Sequence, residues 1–265
     1  MKLGIIGCGN MGSALAEGII SKRILPFNRI FISDKDFHKT RKLHKKFGVR
    51  VSTNEEIAKG CDFIIIAVKP ADSKKLLTGI SAELNNKKHL VSIMAGVSLK
   101  KLEALAGKKI AITRVMPNIA ALVGKSMTVI CHNRIVKDRT MIDRIFSSIG
   151  ETIEIDERHM DAATAVAGSG PAYFFYLAEN LRDAAIKLGI KKEIASRLAL
   201  ETLAGSGALA GIPGETPEVL RGRITSKKGT TEAALKVLMK REFKATMNEA
   251  VRAAAQRSKE LSKGA

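Results

Sequence analysis

The sequence has no tryptophan, two tyrosines and an aromatic share of only 4%. Readers of single-stranded nucleic acid stack bases on exposed aromatic rings. Nucleic acid is therefore disfavoured as a partner, although the net charge is +19. Cysteine is scarce too. Cys8, Cys61 and Cys131 are odd in number and far apart, which excludes a disulfide framework. There is no C-x-x-C, and the five histidines are scattered, so no metal is expected. A reducing, cytoplasmic compartment follows as the expectation. No apolar run reaches the roughly 18 residues of a membrane span, so no membrane partner is expected. The opening Met1-Lys2-Leu3-Gly4-Ile5-Ile6-Gly7 is too short and too glycine-broken for a signal peptide and reads as a first strand. Acid is also in deficit, with 26 Asp and Glu against 45 Lys and Arg. The excess sits in short runs such as Arg41-Lys42, Lys45-Lys46 and Lys87-Lys88, as on a lysine-rich surface. Such a field draws in anionic substrates and cofactors.

A chain of 265 residues makes one large or two medium domains. Over the first part, short β-like runs alternate with helical segments, as in an α/β domain. Strands are expected at 2–7, 29–33, 62–68, 90–94, 109–116, 126–132 and 152–155. Helices are expected at 11–21, 36–47, 53–59, 98–105 and 137–149. The run Phe63-Ile64-Ile65-Ile66-Ala67-Val68 is apolar on both faces and suits a parallel strand covered on both sides. After residue 156 the β-like runs stop and the chain reads as helices. The expectation is a Rossmann-type doubly wound domain over 1–156 and an all-α dimerisation domain over 157–265. Segment 172–188 is apolar on more than one face, whereas a surface helix carries one apolar stripe. It predicts burial against a partner copy, in an intertwined homodimer or a higher oligomer of dimers.

Gly7-Cys8-Gly9-Asn10-Met11-Gly12 is G-x-G-x-x-G directly after a strand and at a helix start. The first glycine permits a tight turn, the second admits a pyrophosphate, and the third lets helix and strand close up. The helix N-terminus then faces the anion. Asp34 ends the second strand about 20 residues on, where an acid can bind the ribose 2′-hydroxyl of NAD. At about 4 Å from a 2′-phosphate it would cost about 4 kcal/mol per unit charge at an effective dielectric of about 20. That leans towards NADH. Lys35, His38 or Lys39 could offset it, and the plainer reading of Asp34 is a helix cap.

Further motifs are Ala67-Val68-Lys69-Pro70, Ser92-Ile93-Met94-Ala95-Gly96-Val97-Ser98 and Arg114-Val115-Met116-Pro117-Asn118. The second half adds Ala167-Gly168-Ser169-Gly170-Pro171-Ala172-Tyr173 and Thr225-Ser226-Lys227-Lys228-Gly229-Thr230-Thr231. In this order and spacing the chain resembles pyrroline-5-carboxylate reductases along essentially its whole length. The resemblance implies reduction of 1-pyrroline-5-carboxylate to L-proline with NAD(P)H. It implies that Asn54, Ala67 and Lys69 join the glycine loop at the cofactor, with Met116, Pro117 and Asn118 near the nicotinamide. It implies that Ser226, Gly229 and Thr230 hold the substrate carboxylate and that Thr231 bonds the ring nitrogen. The family usually has Pro-Gly where Lys227-Lys228 stand, and a second serine where Ala167 stands.

A protonated cyclic imine is already electrophilic, so such a site needs orientation and carboxylate donors rather than a strong acid. Ordinary helix capping by Ser and Thr, with Ser226 as a turn or N-cap residue, is the plainer reading of the second loop. Two other functions fit parts of the sequence. A β-hydroxyacid dehydrogenase needs a catalytic lysine early on the interdomain helix, where only Lys187 stands, at the far end. A non-catalytic nucleotide-binding regulator predicts cofactor binding without turnover.

Overall fold

The computed structural model describes residues 1–264; residue 265, the end of the expected second domain, lies outside the described residues. Eight strands form one sheet: β1 (Leu3–Ile6), β2 (Ile30–Ser33), β3 (Arg50–Val51), β4 (Phe63–Ile66), β5 (His89–Ser92), β6 (Ala111–Met116), β7 (Ser126–His132) and β8 (Gly150–Glu154). Their spatial order is β3-β2-β1-β4-β5-β6-β7-β8. All neighbours are parallel except β6 and β7. Strand β1 lies between β2 and β4, so the winding reverses direction beside it. In open α/β sheets the ligand crevice lies beyond the carboxyl ends of the strands at such a reversal.

The apolar run predicted as a doubly covered strand is one. Ile65 joins a core on one face with Leu3, Ile5 and Ile32. Ile64 and Ile66 join the core on the other face with Ile6 and Leu90. All three of these isoleucines are fully buried, each worth about 1.5–3 kcal/mol. The helices over this sheet are α1 (Asn10–Ser21), α2 (Phe37–Phe47), α3 (Asn54–Gly60), α4 (Ser73–Ile80), α5 (Leu99–Ala106) and α6 (Thr140–Ser147). Strand β3 and helix α4 are additions to the expected elements. Helix α6 starts later than expected, because the Asp138 side chain accepts from the Thr140 N–H and holds residue 138 in a turn.

After β8 comes α7 (Met160–Ala163), a π-turn at Thr164–Gly168, and then α8 (Gly170–Lys187), α9 (Lys192–Ala210), α10 (Pro217–Arg223), α11 (Thr230–Lys240) and α12 (Phe243–Gly264). The chain divides into two compact units. One is Met1–Ser169 together with the end of α12 from Arg252, and the other is Gly170–Val251. In the first unit the end of α12 is anchored. Ser258 is buried and donates to Asp161 Oδ1 at 2.7 Å. Leu261 lies against Gly96, whose φ of +71° and lack of a Cβ allow the contact.

In the second unit α8 and α9 pack on each other. Its buried residues are the small Gly170, Ala178, Ala195 and Ala199. Phe174, Phe175, Tyr176 and Leu188 are exposed, Leu188 by 83%. Among the described residues no helix is long and apolar enough to cross a membrane, and no group of three or more His, Cys, Asp or Glu could hold a metal ion.

Candidate functional site

The glycine turn joins β1 to α1 at the reversal of the sheet. Gly7 has φ +106°, and a Cβ there would stand 2.5 Å from the Ala67 carbonyl oxygen at the end of β4. A Cβ on Gly12 would collide with the Gly7 carbonyl oxygen, so helix and strand close up only because both residues are glycine. Gly9 has open space where its Cβ would point. No side chain caps the first turn of α1. Backbone N–H groups at a helix start with an open approach form an anion site. The geometry therefore fits the pyrophosphate of a dinucleotide.

Asp34 is wired into this turn. Its Oδ2 accepts the Cys8 N–H at 2.7 Å, and its Oδ1 accepts the Asp36 N–H at 2.8 Å. The helix-cap role falls to Asp36, which accepts the His38 N–H at 3.0 Å and starts α2. Lys35 pairs with Asp72 at 3.2 Å and Lys39 with Asp36 at 3.9 Å. Asn54 opens α3 beside a Thr53–Glu56 capping box, and its Oδ1 accepts from Ser33 Oγ at 2.7 Å. Thus the glycine turn, Asp34, Asn54 and Ala67 form one connected rim. Lys69 is exposed just before the turn at Pro70–Asp72. The Cys8 thiol is buried, and burial followed by the Asp34 carboxylate pushes its pKa up to about 12. It is a packing residue without thiolate chemistry.

Met116, Pro117 and Asn118 end β6 and lead into a single helical turn. The buried Asn118 is engaged at every polar atom of its side chain. Its Oδ1 accepts the Ala120 N–H at 3.1 Å, and its Nδ2 donates to the Ala167 carbonyl at 3.0 Å. Its backbone N–H donates to Ser126 Oγ at 3.0 Å. Asn118 thus ties this strand end to the π-turn, in which Ser169 N–H donates five residues back to the Thr164 carbonyl at 2.9 Å. Gly168 faces Met116, and a Cβ on it would sit 2.9 Å from Met116 Cε. Sequence reading singled out this Gly-Ser-Gly-Pro as part of a motif. It did not anticipate the π-turn, or Ser33 and Ser126 as the partners of Asn54 and Asn118.

The second predicted cluster belongs to the helical unit. Ser226 and Gly229 close a turn, with the Gly229 N–H donating to the Ser226 carbonyl at 3.0 Å. A Cβ on Gly229 would collide with Ser226 Oγ. Lys228 adopts φ +60°, and its N–H donates to Glu232 Oε2 at 2.7 Å. Gly229 is the N-cap of α11 and no side chain caps that helix start. Thr230 and Thr231 form its first turn; Thr231 is half-buried and Thr230 exposed. Ser226 was expected as a possible cap, and the structure instead uses its carbonyl to close the turn before the helix.

Comparison with known proteins covers both units. A family model described as pyrroline-5-carboxylate reductase dimerisation matches residues 157–261. One described as NADP oxidoreductase, coenzyme F420-dependent, matches residues 2–96. The chain is 38% identical to a pyrroline-5-carboxylate reductase of Arabidopsis thaliana, over 98% of this chain and 95% of that protein. It is 36% identical to that of Escherichia coli, over 99% of this chain and 98% of that protein. A crystal structure of Plasmodium falciparum pyrroline carboxylate reductase with NADP bound is 37% identical and superposes with a TM-score of 0.86 over 99% of this chain and 98% of that one. A pyrroline-5-carboxylate reductase from Coxiella burnetii superposes with a TM-score of 0.93 at 32% identity, over 98% of each chain.

Proposed function

The chain belongs to the pyrroline-5-carboxylate reductase family, and from that premise we propose how its residues reduce 1-pyrroline-5-carboxylate to L-proline with NAD(P)H. It is an NAD(P)H-dependent oxidoreductase acting on a C=N bond. The observation that carries this reading is identity of 38% running through 98% of the chain, so that both units are matched together. Neither the β-hydroxyacid dehydrogenase nor the regulator reading has a comparable observation behind it.

When bound, the nicotinamide supplies a hydride to the imine carbon. The residues of the chain hold and orient. Gly7, Cys8, Gly9, Asn10, Met11 and Gly12 offer backbone to the pyrophosphate, with Asn54, Ala67 and Lys69 on the same rim. Met116, Pro117 and Asn118 form the nicotinamide side, where Asn118 acts by fixing the strand end. The start of α11 receives the substrate carboxylate through Ser226, Gly229 and Thr230, since uncapped backbone N–H groups favour an anion. Thr231 bonds the ring nitrogen, because a hydroxyl can both donate and accept as the iminium becomes an amine. Orientation alone supplies several kcal/mol in such a reaction.

Three finer statements belong to the same proposal. NADH is preferred, because a 2′-phosphate at the rim would meet Asp34 while Lys35 and Lys39 are already paired with Asp72 and Asp36. The chain works as a homodimer or an oligomer of dimers, which the exposed apolar residues of α8 and α9 support. The reaction takes place in a reducing cytoplasm, in keeping with three buried free thiols.

The test is loss of nicotinamide absorbance on mixing the protein with pyrroline-5-carboxylate and NADH or NADPH. Turnover is expected with at least one cofactor, and turnover with neither overturns the assignment. Thr231→Ala should lower kcat/KM by about 10- to 100-fold, the cost of one or two hydrogen bonds to a charged group. Full activity in that variant removes Thr231 from the mechanism.

A further inference from the structure

The side chain of Arg114 is only 5% exposed, although it stands two residues before Met116 on β6. A buried guanidinium persists only where its charge and donors are met. Its Nη1 lies 3.4 Å from Glu157 Oε1, and its Nη2 lies 3.7 Å from Asp161 Oδ1. Both acceptors are shared. Glu157 Oε1 also accepts the Leu99 N–H, at the start of α5, at 2.6 Å. Asp161 Oδ1 also accepts from Ser258 Oγ at 2.7 Å. One cation thus joins β6, the start of α5, the first turn of α7 and the end of α12.

Helix α7 runs directly into the π-turn, and the π-turn returns to the same strand that carries Arg114. Asn118 Nδ2 donates to Ala167, and Gly168 makes room for Met116. The segment from Glu157 through the π-turn is therefore fixed to β6 and the loop after it at two levels, by ion pairs of Arg114 to Glu157 and Asp161 ahead of the turn and by contacts of Met116 and Asn118 with the turn itself. Single π-turns inserted in helices are rare and frequently occur at functional sites.

We propose that Arg114 is a positioning residue for hydride transfer. Through Glu157 and Asp161 it sets the register of the π-turn against the Met116-Pro117-Asn118 strand end, and so the depth of the surface that meets the nicotinamide ring. This rests on the reading that this strand end faces the ring. It does not touch the glycine turn or Asp34, which bind the rest of the dinucleotide.

The experiment compares Arg114→Lys, Arg114→Met and the triple variant Arg114→Met/Glu157→Gln/Asp161→Asn, which removes the network's charges together. Three readouts are taken: cofactor Kd by fluorescence titration, kcat, and the primary isotope effect with C4-deuterated NAD(P)H. Arg114→Met should leave Kd within about 3-fold and lower kcat about 10- to 100-fold, the scale of an ångström-level misplacement. Hydride transfer should become rate-limiting, so the isotope effect on kcat should rise. The triple variant should regain thermal stability and keep the slow hydride step. If its kcat returns to the wild-type value, Arg114 serves only to balance buried charge and the proposal falls. If Arg114→Met does not fold, Arg114→Lys is read instead: full kcat with an unchanged isotope effect overturns the proposal, and a slowed hydride step supports it. Asn118→Ala reports on the underlying reading separately. Normal hydride transfer in that variant means the strand end does not face the ring, whatever the Arg114 variants do.

Discussion

At residue scale, Lys228 shows how a steric rule survives a change of residue. The family resemblance puts a glycine there, and the backbone indeed turns through φ +60°. A side chain in this left-handed region costs about 1–2 kcal/mol, and glycine removes that cost. Lys228→Gly should therefore raise stability by about 0.5–1 kcal/mol in urea unfolding at fixed protein concentration, after part of the gain is lost to the greater freedom of the unfolded chain. A stability loss would mean that the Lys228 side chain makes contacts that outweigh its strained backbone. Gly7 and Gly12 were legible in the sequence for the same reason, since a steric need leaves no alternative residue. Asp34 was legible as an acid at the rim, but its two backbone hydrogen bonds were not, because they depend on how the loop folds back. Asp34→Ala should raise the NADPH to NADH ratio of kcat/KM by about 10-fold or more once the unfavourable charge pair is gone. Both absolute values should fall, because the glycine turn loses its tie at Cys8. An unchanged ratio would remove Asp34 from cofactor choice.

At the scale of elements, the strongest signals were strands with nearly complete burial, such as β4, where four apolar residues in a row have no polar face. Strand β3 was silent because Arg50 and Val51 are both exposed and form too short a run for any periodicity. Helix α4 does carry a spacing of buried Ser73, Leu77 and Ile80, which the sequence offered only weakly through a serine and with Gly79 inside the helix. Cross-strand chemistry lies beyond periodicity altogether. His89 on β5, Thr113 on β6 and His132 on β7 form one chain, with Nε2 to Oγ1 at 2.7 Å and Oγ1 to Nδ1 at 2.8 Å. Burial, reinforced by His132, pushes the His89 pKa down to about 4, and burial lowers that of His132 against the opposing pull of Glu154. Both imidazoles are therefore neutral in the folded chain at neutral pH. The unfolded chain takes up protons near the ordinary histidine value of 6.5, ahead of the folded one. The stability from His89 is thus complete above about pH 6.5 and is lost as pH falls towards 4, by about 3 kcal/mol. The melting temperature should fall over that window, and His89→Gln should flatten the fall. An identical pH profile in the variant would show that His89 titrates as freely in the folded chain as in the unfolded one.

At the scale of the whole molecule, sequence reading divided the chain into two halves and assigned each a part of the chemistry. For the helical half it pointed to a partner copy but not to the side chains that would meet it. The pattern over residues 172–188 registered only as apolar on too many sides, and the structure gives that excess a form. Phe174, Phe175, Tyr176 and Leu177 are all at least 45% exposed, in a unit whose interior is built from glycine and alanine. Large exposed apolar side chains on several sides of one helix favour burial against a partner. Assembly must also overcome charge, since each copy carries a net charge of +19. Salt screens that repulsion and strengthens apolar burial, so the dimer should become tighter as salt rises from low ionic strength. Phe175→Glu would bury a carboxylate in the interface, at a cost of several kcal/mol unless it finds a partner. Light scattering on the eluting peak should then find a dimer or larger assembly for the wild type and a monomer for the variant at micromolar concentration. A variant that remains assembled would exclude the Phe175 side of α8 from the interface. An assembly that loosens with added salt would mean that ion pairs, rather than these apolar helices, hold the copies together.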